Sequence, residues 1–318
     1  MCANMNLSEK KDKGNFPFVS IIIPVFNSEK IIRRCLESLL RQTYPTEKYE
    51  IIIVDNGSYD NSVKIIKEFP IKLFFEKRAH NSYMARNCGL RHAKGEIIAF
   101  IDADCIARKD WLQNLIEPFK DVNVGVVAGE VLNYKPMNLI QGFYAFSDFL
   151  RQETKVQKKV PAIGTANVAF RKVIFNIVGQ FDENFRWGGD NDFGVRIQKE
   201  TNYLIRFAKR AKVYHFHRIS LKELIRHAYT YGLGKGRFLI KYSNNKRIKD
   251  IIEGFCTFFR LLAGIFILPL YSYKILKSGK SITESLAYPI FDKFFCIVDQ
   301  IGKIIFLISK DDVFLRNN

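Results

Sequence analysis

The sequence predicts an α/β protein built on an open, mostly parallel β-sheet flanked by helices. Three short runs of apolar, largely β-branched residues lack polar alternation, which is typical of strands buried on both faces. Helical stretches alternate with these runs at the spacing of βαβ units. Each run also ends in polar residues, and ligands of open α/β sheets bind at the carboxyl ends of strands. The fold class therefore indicates where a site should lie.

The first half of the chain contains the clearest elements. Residues 19–26 form the first strand, and Ser28 can cap the helix that follows it. The apolar positions of that helix fall on one stripe, namely Ile31, Ile32, Cys35, Leu36, Leu39 and Leu40. The remaining elements are, in order, strand 49–55, a turn at 56–58, a short helix ending near 69, strand 71–75, helix 82–93 and strand 96–102.

The second half has a looser pattern. Its predicted strands are 122–131, 162–170, 203–207 and 212–216, and its predicted helices are 190–199 and 220–231. Two apolar segments follow. Residues 255–273 carry a single charge and are long enough to approach the thickness of a bilayer if helical. Residues 286–308 are amphipathic, so the two segments predict a C-terminal hydrophobic helical hairpin, either in contact with a membrane or packed on the protein in water.

Composition and charge restrict the class of protein. The chain has 318 residues, of which 47% are hydrophobic and 26% charged, and this excludes a disordered protein. The formal net charge is +18, and residues 205–250 contain thirteen Lys or Arg but only two acidic residues. This basic segment lies just before the apolar tail, which favours a membrane surface over nucleic acid as the partner. The predicted domains are a polar tail at 1–17, an α/β domain at 18–250 and membrane-associating helices at 251–318.

The strand ends carry the candidate chemistry. Neither a Gly-x-Gly-x-x-Gly nor a P-loop motif occurs, so a dinucleotide-binding oxidoreductase and a P-loop NTPase are both disfavoured. Asp102 and Asp104 follow a wholly apolar strand, and in extended chain their carboxylates would point the same way. Two such oxygen donors can hold Mg²⁺ or Mn²⁺, although a turn or a helix cap would also use them.

Asp55 ends another buried strand. It is either a turn residue before Gly57 or an acceptor for a nucleobase N–H group. Arg86 lies on the helix after the third strand, near the same edge of the sheet. It could pair with a phosphate or with Asp55, or it could be an ordinary surface arginine.

Taken together, these segments resemble family 2 glycosyltransferases with the GT-A fold. The likeness rests on Val-Ser-Ile-Ile-Ile-Pro-Val-Phe-Asn from residue 19, Ile-Val-Asp-Asn-Gly-Ser from residue 53 and Phe-Ile-Asp-Ala-Asp from residue 100. Ser-Leu-Leu-Arg-Gln-Thr-Tyr-Pro from residue 38 and Ala-Arg-Asn-Cys-Gly-Leu from residue 85 occur in the right order between them. Gly-Thr-Ala-Asn from residue 164 and Gly-Gly-Asp-Asn-Asp-Phe from residue 188 extend the resemblance, which covers about residues 18–232. Members transfer a sugar from a nucleotide diphosphate to an acceptor with inversion.

The resemblance implies a role for each matching position. The nucleotide-sugar would contact Pro24, Phe26, Asp55, Arg86 and Asp102. The metal, Mn²⁺ or Mg²⁺, would be held by Asp104, Asp102 and His215, with His217 a weaker candidate and a buried structural histidine the alternative for both. Asp190 would be the catalytic base, although capping of the following helix is an alternative. The sugar and acceptor side would contain Thr165, Asn167, Trp187, Gly189 and Asp192, where Gly189 replaces the usual Glu and Trp187 either stacks on the acceptor or belongs to the core.

The predicted function follows from this resemblance and from the tail. We expect a metal-dependent inverting transferase that moves one sugar to a hydroxyl of a glycan or lipid-linked glycan. We expect it at the cytoplasmic face of the cell membrane, held peripherally or by one or two C-terminal helices. The alternatives are a transferase acting on polyprenyl phosphate and a non-catalytic membrane scaffold. A polymer-extruding synthase is disfavoured because the Gln-x-x-Arg-Trp signature is missing.

Overall fold

The computed structural model describes residues 16–78, 81–147, 151–153, 163–217, 220–242 and 247–309. All but the last two residues of the predicted polar tail (1–17) lie outside these ranges, as does residue 162 at the start of one predicted strand. The strands are β1 (Val19–Val25), β2 (Tyr49–Asp55), β3 (Lys72–Phe75), β4 (Ile97–Ile101), β5 (Cys105–Ala107), β6 (Val124–Asn133), β7 (Asn167–Arg171) and β8 (Leu204–His215).

Eleven α-helices occur in the described part of the chain. Those of the first part are α1 (Ile32–Leu40), α2 (Ser62–Ile66), α3 (Ser82–His92), α4 (Trp111–Ile116), α5 (Leu139–Phe146), α6 (Val173–Val178) and α7 (Gly189–Glu200). The C-terminal ones are α8 (Leu221–Tyr242), α9 (Arg247–Ala263), α10 (Leu268–Lys277) and α11 (Ile282–Ser309), and a 3₁₀ turn at Gly264–Ile267 joins α9 to α10.

Within the described ranges, the strands form an eight-stranded sheet in the order β3-β2-β1-β4-β7-β6-β8-β5. Neighbours among β3, β2, β1 and β4 are parallel, whereas β7 is antiparallel to both β4 and β6. β8 is parallel to β6, and β5 is antiparallel to β8. The mostly parallel sheet with flanking helices is thus confirmed, and each antiparallel pair includes either β7 or β5.

The sequence prediction was wrong about the end of the sheet. Residues 203–207 and 212–216 were expected to form two strands, but β8 is continuous from Leu204 to His215. Its pairing with β6 shifts register between Gly129 and Glu130, so residues 209–211 form an irregularity inside one strand. The short strand β5 was not predicted, and it matters because it pairs with the end of β8.

The two faces of the sheet bury separate apolar clusters. Ile21 and Ile23 of β1 point to the cluster that contains residues of α1 and α4. Ile22 points to the opposite cluster, which contains residues of α3, α6 and α7. Because both faces are covered, residues 21–25 of β1 and all residues of β4 are apolar, as the sequence pattern indicated.

The C-terminal helices pack on the body through a close crossing of α8 and α11. A Cβ atom added at Gly232 of α8 would lie 1.9 Å from the Asp299 carbonyl oxygen, and one at Gly302 of α11 would lie 2.3 Å from that of Tyr229. Only glycine permits this separation of the two backbones. The stretch Ile248–Lys277 is long and apolar enough to cross a membrane by length and composition, and 6% of its most apolar window is buried. Helix α8 also extends eleven residues beyond the predicted end at 231.

Candidate active site

Three neighbouring strands of the parallel half bring their carboxyl ends to one edge. β1 lies between β2 and β4, so the residues that follow β1, β2 and β4 are neighbours in space. These residues include Phe26, Asp55 and Asp102. Asn27, just after β1, has a φ of 46°, a left-handed conformation that asparagine tolerates. The strand ends therefore form a polar rim, as expected for a ligand site in this fold class.

The Asp55 carboxylate is poised to accept one more hydrogen bond. Its Oδ2 atom accepts from the backbone N–H groups of Gly57 and Ser58 at 3.1 and 3.2 Å. Its Oδ1 atom is buried and has no hydrogen-bond partner among the described residues. A buried unsatisfied acceptor is costly, so this oxygen is suited to a ligand N–H group. The Oδ2 atom thus stabilises the turn, and the Oδ1 atom is left for a ligand.

Two aromatic residues, Phe26 and Tyr59, follow the strand ends on either side of this carboxylate in the chain. Phe26 is 43% exposed and makes an edge contact with Tyr59, with 6.0 Å between the ring centroids. Pro24, also assigned to the nucleotide, lies within β1 opposite Val54, the residue before Asp55. An exposed ring next to an unpaired buried acceptor suits a flat, polar-edged group such as a nucleobase.

A buried arginine fixes the first aspartate of the Asp-Ala-Asp segment. The Nη2 atom of Arg86 donates to the Asp102 carboxylate at 2.6 Å, and the two side chains are 5% and 29% exposed. The Nε–H of Arg86 is buried with no partner among the described residues. Arg86 is therefore neither paired with Asp55 nor a surface residue.

The second aspartate faces a histidine from the far end of the sheet. Pairing of β5 with β8 places His215 opposite Cys105, and its Nε2 atom lies 3.2 Å from the Asp104 carboxylate. Ligand atoms of Asp104, Cys105 and His215 all lie within 4.8 Å of one another. Burial and the carboxylates of Asp104 and Asp102 raise the pKa of the Cys105 thiol well above its ordinary value. In the absence of a cation the thiol is therefore neutral, and the charged group of this cluster is a carboxylate.

The two aspartates do not adopt the extended geometry expected from the sequence. The Cys105 N–H donates to the Asp102 carbonyl oxygen, so the chain turns between them. This turn lets Asp102 meet Arg86 while Asp104 meets His215. The other histidine, His217, hydrogen-bonds Asn133 and stacks on Tyr144, so it has a structural environment.

Asp190 connects to this cluster through a tyrosine. It lies in the first turn of α7, and the Tyr83 hydroxyl donates to its Oδ1 atom at 3.3 Å. The Tyr83 ring in turn lies 5.5 Å from the Arg86 guanidinium, and Arg86 holds Asp102. Burial and the Asp190 charge raise the pKa of Tyr83 well above its usual value, so the hydroxyl remains a donor. The contacts form one path from Asp190 to Asp102.

Two residues assigned to the acceptor side are instead occupied inside the protein. The Asn167 side chain is fully buried, accepts from the Trp111 indole at 2.8 Å and donates to the carbonyl oxygens of Glu130 and Ala211. Asp192 is also fully buried and contacts Arg196, Lys241 and Tyr242 at 3.0, 2.7 and 2.8 Å. Neither side chain reaches the rim, because both tie separate elements together.

The other three assigned residues are Thr165, Trp187 and Gly189, of which the last two lie within three residues of Asp190 in the chain. Thr165 is buried, and Trp187 is partly buried with its backbone against Gly234 of α8. A Cβ atom at Gly189 would lie 2.9 Å from the Tyr83 ring. The glutamate expected at this position from the resemblance would collide with that ring, so the glycine follows from the presence of Tyr83.

Comparison with known proteins identifies the family. Residues 20–179, half of the chain, match the family described as Glycosyl transferase family 2. The chain belongs to glycosyltransferase family 2. This glycosyltransferase is 26% identical over 310 residues to Glycosyltransferase AglE of Haloferax volcanii, a match that covers 94% of the chain and 99% of the relative.

Two further similarities extend the picture of this glycosyltransferase. It is 28% identical over 244 residues to the dolichyl N-acetyl-alpha-D-glucosaminyl phosphate 3-beta-D-2,3-diacetamido-2,3-dideoxy-beta-D-glucuronosyltransferase of Methanococcus voltae, covering 70% of the chain and 74% of the relative. Among solved structures, it resembles mannosyltransferase PcManGT from Pyrobaculum calidifontis in complex with GDP-Man and Mn²⁺. The TM-score is 0.64 at 17% identity, covering 93% of this chain and 88% of that one. The last match confirms the GT-A fold.

Sequence reasoning missed Tyr83, although it carries the contact between Asp190 and Arg86. The helix containing Tyr83 and Arg86 was predicted, and the two residues are one turn apart on it. A tyrosine three residues before a candidate phosphate-binding arginine was the available signal. What the pattern lacked was the long-range contact to Asp190, 107 residues later in the chain.

Proposed function

We propose that this glycosyltransferase is metal-dependent and inverting, and that it moves one sugar from a nucleotide-diphosphate sugar to a hydroxyl of a glycan or lipid-linked glycan. We further propose that it works at the cytoplasmic face of the cell membrane. The observation that carries the proposal is the path of contacts from Asp190 through Tyr83 and Arg86 to Asp102, next to the Asp104–His215 pair. This path links a carboxylate suited to be a base with a cluster suited to a diphosphate.

The donor would lie along the carboxyl ends of the strands. The unpaired Oδ1 atom of Asp55 would accept a nucleobase N–H group, and Phe26 would face the nucleoside. The free Nε–H of Arg86 supports a contact to a phosphate oxygen, since a buried arginine donor gains most from a charged acceptor. The solved neighbour in complex with GDP-Man is consistent with a nucleotide-sugar donor.

The donor atoms around Asp104 fit a divalent cation. Carboxylate oxygens suit Mg²⁺ and Mn²⁺, and an imidazole nitrogen beside them is compatible with Mn²⁺. Asp104, His215 and, next to them, Asp102 would hold it. Bound there, the cation would neutralise the charge that develops on the diphosphate leaving group. The Mn²⁺ in the structural neighbour supports the assignment.

Asp190 would remove the proton of the acceptor hydroxyl. A hydroxyl is a weak nucleophile, and a positioned carboxylate accelerates its attack by accepting the proton as the bond forms. The positive end of the α7 dipole favours a negative charge at this position, and the hydrogen bond from the Tyr83 hydroxyl orients the carboxylate. One base opposite the leaving group suffices for inversion, so no second nucleophile is required.

The C-terminal helices support a membrane location. An outward stripe on α9 contains Ile248, Ile252, Phe255, Phe259 and Leu262, and Phe266 after it is 88% exposed. Lys274, Lys277 and Lys280 follow at the far end of the stretch. A large exposed apolar face next to cations is typical of a helix in contact with anionic lipid. The Methanococcus voltae relative, whose name specifies a dolichyl-linked substrate, is consistent with this.

A donor assay tests the proposal. The purified full chain is incubated with Mn²⁺ and a panel of UDP- and GDP-sugars, and release of nucleoside diphosphate is measured. We expect turnover of one donor that EDTA abolishes and Mn²⁺ restores, and Asp104→Asn should lose it. Once an acceptor is found, NMR of the product gives the anomeric configuration, and sedimentation with anionic vesicles tests the membrane location. No donor turnover, or full activity in Asp104→Asn, would contradict the proposal.

A further inference from the structure

The residues that lead into α7 are held in place by helix α3. Residues 179–188 connect α6 to α7 through turns and bends, and we call them the α6–α7 segment. Backbone groups that are buried outside helices and strands need other hydrogen-bond partners. Two buried asparagines supply them here, Asn81 at the N-cap position of α3 and Asn87 within the helix. Asn87 donates to the Phe181 carbonyl oxygen at 2.9 Å, so it holds the start of the segment.

Asn81 holds the middle of the segment and caps α3 at the same time. Its Nδ2 atom donates to the carbonyl oxygens of Glu183 and Phe185 at 2.7 and 3.0 Å, and its Oδ1 atom accepts from the Tyr83 N–H at 2.8 Å. Carbonyl oxygens only accept and a backbone N–H only donates, so these partners fix which side-chain atom is the nitrogen. The oxygen of this amide therefore caps α3, and its nitrogen joins α3 to the segment.

The chain between Phe185 and Asp190 is short and tightly packed. Phe185 is fully buried, and a Cβ atom at Gly189 would lie 3.0 Å from the Phe185 Cβ atom. Gly188 has a φ of 74°, a left-handed conformation that favours glycine, so the chain turns sharply there. The Asp190 N–H then donates to the Tyr83 hydroxyl at 3.3 Å. A displacement of the Phe185 carbonyl group would therefore move Asp190.

The backbone of Asn81 faces the nucleotide side of the site. Its N–H donates to the Oδ1 atom of Asn56 at 2.6 Å, and Asn56 directly follows Asp55. The Nδ2 atom of Asn56 donates in turn to the Glu76 carbonyl oxygen at 3.1 Å, just after β3. Asn81 thus contacts the Asp55 turn through its backbone and the α6–α7 segment through its side chain. A side-chain substitution changes the second contact and leaves the N–H group of the first.

We propose that Asn81 is a positioning residue that sets the place of Asp190 relative to the nucleotide-sugar. This inference rests on the proposed function, which makes Asp190 the catalytic base. Asn81 acts through the α6–α7 segment, because its amide holds the Glu183 and Phe185 carbonyl groups against the helix that also carries Tyr83. Displacing a reacting group by about 1 Å can cost about 10²-fold in rate, so a contact outside the reacting atoms can control the reaction.

The variants Asn81→Asp and Asn81→Ser test the proposal in the full chain. Both keep an oxygen that can cap α3, and both remove the NH₂ group. Release of nucleoside diphosphate from the panel of UDP- and GDP-sugars, with Mn²⁺ and with water as the acceptor, gives kcat and KM. We expect kcat to fall about 10- to 100-fold in each variant, with the donor KM within about twofold, since the N–H contact to Asn56 is retained. An unchanged kcat, or a change in KM alone, would overturn the proposal.

Gln42 provides the matched control, because its buried amide makes the same kinds of contact elsewhere. Its Nε2 atom donates to the carbonyl oxygens of Ser38 and Arg108, both at 2.9 Å, and its Oε1 atom accepts from the Leu112 N–H at 2.9 Å. Gln42→Glu therefore removes the same NH₂ group and introduces the same charge as Asn81→Asp. We expect both variants to unfold at a lower temperature, but only Asn81→Asp to lose kcat. Equal losses of kcat would mean that reduced stability explains both, and the proposal would fail.

Hydrogen exchange tests the contact without any substrate. Peptides that cover residues 183–190 should exchange about tenfold faster in Asn81→Ser than in the unaltered protein, because two hydrogen bonds to the segment are lost. Gln42→Glu should leave their exchange unchanged. Unchanged exchange in both Asn81 variants would overturn the inference even if the unaltered protein turns over a donor. Faster exchange in a protein that releases no nucleoside diphosphate would instead support the hold of Asn81 on the segment and refute the proposed function.

Discussion

The two aspartates at the start of α7 should respond in opposite ways to the same substitution. Asp190 and Asp192 are two residues apart, and both were assigned to the site from the sequence. In the structure, Asp190 is half-buried and contacts the Tyr83 hydroxyl, whereas Asp192 is fully buried among charged partners. Asp190→Asn and Asp192→Asn each remove one negative charge at nearly constant volume. The pair therefore separates catalysis from stability.

The expected magnitudes differ because the environments differ. Asn at 190 can still accept from the Asn191 N–H and the Tyr83 hydroxyl, so only a helix-end charge effect of about 0.3–1 kcal/mol is lost from stability. The rate should fall about 10²–10⁴-fold because the base is gone. Asn at 192 leaves Arg196 and Lys241 without their shared carboxylate. Breaking a buried pair costs about 3–5 kcal/mol, and the partial exposure of these cations, 17% and 35%, reduces this to about 2–3 kcal/mol.

Two measurements on each variant check this reasoning. Thermal unfolding should show Asp192→Asn about 5 °C below the unaltered protein and Asp190→Asn close to it. Sugar transfer, measured below the unfolding temperature, should be lost in Asp190→Asn and retained in Asp192→Asn. If Asp190→Asn keeps a transfer rate within tenfold of the unaltered protein, the assignment of the base is refuted. If Asp192→Asn loses transfer without losing stability, its carboxylate acts in the site and not between α7 and α8.

Three further substitutions probe other parts of the structure. Asp55→Asn should raise the KM for the donor about tenfold and leave kcat unchanged, because an amide takes the place of the carboxylate whose buried Oδ1 atom would accept from the donor. Initial rates at varied donor concentration test this. Tyr83→Phe should lower kcat with little effect on the donor KM, since it removes the hydroxyl that orients Asp190, and an altered donor KM would argue against an orienting role. Gly232→Val should separate α8 from α11, because any Cβ at this position meets the Asp299 backbone. Limited proteolysis should then cleave the variant near α11. If the variant resists cleavage as well as the unaltered protein does, the close crossing is contradicted.

The parts of the fold that could be predicted are those whose residues are close in sequence. Strands β1, β2 and β4 were recognised because burial on both faces leaves an uninterrupted apolar run. Asp55 and Arg86 were recognised because each follows such a strand or lies on the helix next to it. The pairing of Arg86 with Asp102 was not predicted, since the sequence equally allowed a phosphate or Asp55 as its partner.

The parts that could not be predicted depend on contacts between distant segments. The sequence of β8 predicts two short strands because Lys209 and Arg210 interrupt its apolar pattern. In the structure, β6 pairs with β8 on both sides of this interruption, so the strand is continuous. Asn167 occurs in a segment that resembles an acceptor motif, but its amide joins β6, β8 and α4. A polar residue that holds buried backbone groups together has the same sequence appearance as one that binds a ligand.

The two Asp-x-Asp segments show why local conformation decides what such a pair can do. In an α-helix, residues two apart point about 200° from each other. Asp190 and Asp192 lie in the first turn of α7, so one carboxylate faces the site and the other must face the core. Asp102 and Asp104 instead lie in a tight turn that ends at Cys105, and both carboxylates stay near enough to raise the pKa of its thiol. The same spacing thus places Asp102 and Asp104 in one cluster, whereas it directs Asp190 toward the site and Asp192 into the core.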